Sequence, residues 1–110
     1  MFIFLTALTL SSNSLAEAAE EQDKCSIRDK SETIVIMICP TKDADVLQKA
    51  AEKACGISLL CNVWIWDDES KAPTKAPKID TDIAKINSAQ AVAIWVNDSK
   101  MFISLRQVKK

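Results

Sequence analysis

The chain has 110 residues, with 14 basic and 15 acidic side chains and a formal net charge of −1. This is length for one small domain, and the balance excludes a dedicated nucleic-acid binder, which carries a basic excess to displace phosphate counterions. There is no histidine and only one glycine, which excludes a Ser-His-Asp triad, a Cys-His dyad, every His-bearing zinc site and the glycine-rich phosphate loops.

In chain order, residues 2–10 (FIFLTALTL) form an apolar run of signal-peptide length, too short for a bilayer span of about 20 residues. Small residues precede both Ala16 and Ala18 at cleavage-site spacing, so residues 1–16 are expected to be a signal peptide cut after Ala16 or Ala18. Residues 17–110 are then a single disulfide-stapled domain, periplasmic or secreted, whose acidic, Ala-rich start (residues 17–23) reads as a frayed tail. Cys25, Cys39, Cys55 and Cys61 all follow the cut, and an even count in a small exported chain indicates two disulfides. The short spacing makes Cys55–Cys61 the expected bridge and leaves Cys25 with Cys39, or both free. The spacings match no zinc knuckle or ribbon, and neither a metal nor another cofactor is expected.

Residues 32–39 (ETIVIMIC) are β-branched and almost wholly apolar after Thr33, as in a strand buried on both faces. Pro40 ends it. Over residues 43–54, Val46, Leu47, Ala50, Ala51 and Ala54 make a narrow helical stripe, with Thr41 or Asp43 as the cap and Gly56 at the closing position. Residues 58–66 (SLLCNVWIW) predict a second strand, joined to the first by a right-handed crossover and parallel to it. Residues 67–78 repeat Lys-Ala-Pro, and Pro73 and Pro77 make this an extended surface connection. Asp80 or Thr81 then caps a short helix to about Ala89, with Ile79, Ile83 and Ile86 as its contact edge. Residues 91–96 and 101–105 predict a hairpin turning through Asn97-Asp98-Ser99-Lys100. The expected fold is a single small α/β domain, β-α-β then α-β-β, with a mixed four-stranded sheet and helices on at least one face.

Three features carry chemical interest. Cys39 lies between a buried strand and a helix, where amide N–H groups and the helix dipole lower a thiol pKa. The order of elements from Glu32 to Leu105 is similar to the thioredoxin fold, which implies a thiol redox protein using Cys39 as the nucleophile; the chain lacks a second cysteine at Thr41 or Lys42 and a proline just before Ala91. The competing reading makes Cys39 a disulfide half. Trp64 and Trp66 alternate onto one strand face and are either core or an exposed aromatic platform. Asp67, Asp68 and Glu69 form an acidic cluster without the alternating spacing of a calcium loop, so they read as a solvated strand end, facing Lys71, Lys75 and Lys78 along the connection. The leading expectation is a non-catalytic binding or interaction module contacting its partner through Trp64, Trp66, Asp67, Asp68, Lys71 and Lys75. That partner is an unidentified protein or envelope component, not nucleic acid, with no stable membrane insertion after processing and a homodimer compatible with the chain. The redox protein is the alternative.

Overall fold

In the computed structural model, which describes residues 24–106, the fold opens with a strand that hydropathy does not mark. β1 (Ser26–Lys30) pairs antiparallel with β2 (Ile34–Ile38) and is bulged between Ile27 and Asp29. Helix α1 (Ala44–Cys55) follows; the Asp43 side chain caps it by accepting from the Asp45 and Val46 N–H groups. Gly56 ends it at φ 59, a left-handed conformation that glycine adopts without a Cβ penalty, and donates its N–H to Glu52 O. The crossover returns to β3 (Asn62–Trp66), parallel to β2, and β4 (Ala93–Val96) and β5 (Met101–Ser104) complete the sheet antiparallel to their neighbours. The five strands lie in chain order, β1-β2-β3-β4-β5.

Both faces of the sheet centre are covered. Val46, Leu47, Ala50, Ala51 and Cys55 of α1 face the sheet, and beneath the helix lie Val35, Met37, Val63, Ile65, Ala93 and Trp95. On the opposite face Ile34, Ile36 and Trp66 are buried with Ala72, Ile83 and Ala91 from the chain between β3 and β4. That two-sided burial is why residues 34–37 are apolar without alternation. Asn97, 1% exposed, sits at the β4–β5 turn; it accepts from Trp95 Nε1 at 3.0 Å and donates to Ser58 O at 2.7 Å. Among the described residues no buried side-chain polar atom lacks a partner.

Cys25 is bonded to Cys39, joining the entry of β1 to the exit of β2, and Cys55 to Cys61 closes the turn between α1 and β3. Two disulfides fit an oxidising extracellular compartment. No helix among the described residues is long and apolar enough to cross a membrane.

The single mixed α/β domain agrees with expectation, but the count of four strands is corrected to five. β1 escaped because its polar residues hold neighbouring chain rather than face solvent in alternation. The helix expected to run to Ala89 is instead a 3-10 turn, Asp80–Asp82, and a four-residue helix α2, Lys85–Ser88. Its supposed contact edge does not exist, since Ile83 is buried while Ile79 and Ile86 are 55% and 78% exposed. β3 starts at Asn62 rather than Ser58, because the Cys55–Cys61 bridge holds the intervening residues in a loop. The expected signal peptide and acidic tail lie outside the described residues.

Candidate functional site

Residues 67–92, between β3 and β4, lie across the sheet face opposite α1, and side chains of the sheet hold their backbone. On one side Arg28 Nη1 donates to Glu69 O at 2.8 Å and Ala72 O at 3.2 Å, and the Asp29 carboxylate accepts from the Ala76 N–H at 2.7 Å. The Ser31 hydroxyl donates to Pro77 O at 2.7 Å and the Thr33 hydroxyl to Lys78 O at 2.8 Å. On the other side Asn62 Nδ2 and Trp64 Nε1 both donate to the Asp80 carboxylate, at 2.9 and 2.8 Å. Trp66 Nε1 donates to Asn87 O at 2.8 Å, and Asn87 Nδ2 donates in turn to Lys71 O at 2.9 Å.

Held this way, the limb carrying Pro73 and Pro77 stands against the limb from Asp82 to Asn87 and encloses a groove of about 360 Å³. Pro73, Ala76, Pro77 and Ile83 give it apolar walls, and Lys75 and Asp82 place opposite charges at its rim. A long connection with only short helical turns in a compact domain is commonly either disordered or functional. The lattice of side-chain-to-backbone bonds makes this one ordered.

The residues expected to form a binding surface are brought near one another only in part. Trp64 and Trp66 share a face as strand alternation requires, with ring centroids 6.1 Å apart and planes at 24°. The connection covers that face, however, so Trp66 is 0% exposed and Trp64 half-buried, and they form no open aromatic platform. Asp67 pairs with Lys42 at 3.6 Å. Asp68 caps the 3-10 turn Glu69–Lys71, accepting from the Ser70 hydroxyl at 2.7 Å and the Ser70 N–H at 2.9 Å. Those two bonds favour the ionised form and hold the Asp68 carboxyl below its ordinary value of 3.8. Glu69 turns instead to Arg28, at 3.4 Å. The acidic cluster is thus dispersed over three different partners, and among the described residues no group of three or more His, Cys, Asp or Glu side chains could hold a metal ion. Lys71 and Lys75 remain exposed on the connection, with Lys78 following them.

Cys39 is buried and bonded to Cys25. The redox alternative requires a free, accessible thiol, and in this state the sulfur supplies neither. Sequence reasoning missed Arg28, Asp29, Ser31, Thr33 and Asn87, and assigned Asp80 to a helix cap instead of the tie to Asn62 and Trp64. The one available signal was the run of polar residues 28–33 lying directly before the most apolar strand.

No protein-family model, curated protein or solved structure matches this chain.

Proposed function

We propose that this chain is an exported, non-catalytic binding module that engages a protein or another envelope component through the connection between β3 and β4. The observation that carries the reading is the lacing of that connection to the sheet from both sides, by Arg28, Asp29, Ser31 and Thr33 and by Asn62, Trp64 and Trp66. Recognition loops carried on a rigid scaffold lose little conformational entropy on binding, so their contacts appear as affinity. The groove offers apolar walls for one or two partner side chains, and Lys71, Lys75 and Lys78 add a basic strip beside it. The Trp64–Trp66 pair serves this surface from below, as the floor on which the connection is fixed.

A photo-cross-linking residue placed at Thr74, in the cells that export the protein, tests this. Lys49, exposed on α1 at the opposite face, is the control position. A discrete adduct formed from position 74 but not from 49, and lost when Lys71 and Lys75 are both changed to Glu, is the expected result. Equal labelling from position 49, or an adduct indifferent to the charge reversal, refutes the proposal.

A further inference from the structure

The two edges of the sheet are built differently. β1 carries Arg28, Asp29 and Lys30, is bulged, and has the connection bonded to it through Arg28 and Asp29; charge, bulging and cover are the usual devices that stop an edge from recruiting another strand. β5 has none of them. It reads Met-Phe-Ile-Ser and pairs with β4 in unbroken register, from Val96↔Met101 to Ala93↔Ser104. Among the described residues nothing pairs with its outer side.

The ladder fixes which groups that edge presents. Asn97 N–H donates to Cys61 O, and Leu105 N–H donates to Val92 O at 2.9 Å. By antiparallel alternation, Ala93 and Trp95 therefore bond to β3, while Ile94 and Val96 bond to β5. Met101 and Ile103 accordingly bond inward, and the N–H and C=O groups of Phe102 and Ser104 point away from the sheet. Met101 and Ile103 put their side chains on the face away from α1, with Leu105 following in alternation. Met101 and Leu105 are 51% and 43% exposed there.

We infer that the β5 edge accepts an extended segment of a partner protein as a sixth strand, with apolar residues at alternate positions and carboxylates at both ends. The segment's main chain meets Phe102 and Ser104, and its apolar side chains lie beside Met101 and Ile103, the mode of strand addition. Charge favours this occupant over a second copy paired about Ile103. Lys100 and Arg106 stand at the two ends of β5, both exposed, and among the described residues their bonded side chains are the neutral Asn97 Oδ1 at 3.1 Å and Gln90 Oε1 at 3.0 Å, with no ion pair to either charge. Asp98 shares the Lys100 turn but lines a separate cleft of about 220 Å³ with Leu59 and Leu60. Antiparallel self-pairing centred on Ile103 would set Lys100 against Arg106 of the second molecule, a like-charge contact at each end. The inference rests on the binding-module reading but uses a different surface from the groove.

The test is amide exchange and chemical-shift mapping by NMR on the full chain, with capped synthetic peptides of alternating Val and Thr ended by Asp or by Lys. With the Asp-ended peptide, the Phe102 and Ser104 amides gain protection while those of Met101 and Ile103 stay as they are. At low salt it binds about fivefold more tightly than the Lys-ended peptide, and the difference disappears near 1 M salt, where the screening length is about 3 Å. Ser104→Pro removes one outward donor at an edge position that tolerates proline, and loses the protection without lowering the melting temperature. Should that variant unfold, the peptide pair on the unaltered chain still decides. No protection at millimolar peptide, equal binding of both peptides, or protection of Phe102 and Ser104 by self-association of the free protein each overturns the inference. None of these outcomes touches the cross-linking expected from position 74.

Discussion

Asp80 is the single side chain that joins the connection to β3 at two points, so Asp80→Ala probes the strapping directly. The substitution removes the acceptor for Asn62 Nδ2 at 2.9 Å and Trp64 Nε1 at 2.8 Å, both partly buried. A hydrogen bond to a charged group contributes about 1.5–3 kcal/mol. Water can reach the half-buried donors once the carboxylate is gone and restores part of both bonds, so a loss of about 2 kcal/mol, below the sum of two low-end values, is expected for the pair. The loss falls on the connection first, because Asp80 is bonded to side chains on the sheet face opposite α1. Limited trypsin digestion reads it out, since Lys71, Lys75 and Lys78 are exposed there and local opening exposes their peptide bonds. With opening faster than cleavage, about 2 kcal/mol raises the cleavage rate about 30-fold at RT of about 0.59 kcal/mol. Asp80→Asn keeps one acceptor oxygen and should fall between the two. If Asp80→Ala is cut in the connection at the native rate, the ties to Asn62 and Trp64 do not hold it, and the argument for a preorganised surface fails with them.

The disulfides should differ in cost. On the loop-entropy model, replacing Cys25 and Cys39 with Ala removes about 3 kcal/mol, and replacing Cys55 and Cys61 removes about 2 kcal/mol, because the first loop is longer; urea midpoints in the reverse order refute that account. Trp66→Ala, at a fully buried site, is expected to cost about 3–5 kcal/mol, and the half-buried Trp64→Ala less than half as much, by the same denaturation measurement. A carboxyl whose folded pKa is depressed stabilises above its unfolded value and loses that contribution as pH falls through the folded one. The Asp68 contribution is therefore complete above about pH 4, and an NMR titration should find its carboxyl below 3.8 and moved back up in Ser70→Ala.

The legible parts of this fold are those where one physical requirement acts alone. β2 is buried on both faces and is written in apolar residues from Ile34 to Met37; α1 has one buried stripe, an Asp43 cap and a stop at Gly56. The β4–β5 hairpin turns where Asn97 to Lys100 predict, with Lys100 at φ 54. Legibility fails where a residue serves a distant segment. Asp29 and Ser31 have the look of loop polarity, yet they bind the backbone of Ala76 and Pro77. Asp80 has the side chain and setting of a helix cap, and long-range donors claim it instead. The aromatic pair was legible as sharing one face, but whether that face was open depended on a connection whose path no local pattern specifies.

Each bridge links cysteines that are neighbours in the sequence, Cys25 with Cys39 and Cys55 with Cys61. A chain threaded through a membrane amino-end first would deliver Cys39 while Cys25 is its only available thiol partner, and later Cys61 while Cys55 waits. Oxidation in order of emergence therefore produces the native pairing directly. A chain exported in that way would need a thiol oxidant to make its disulfides, but no isomerase to reshuffle them.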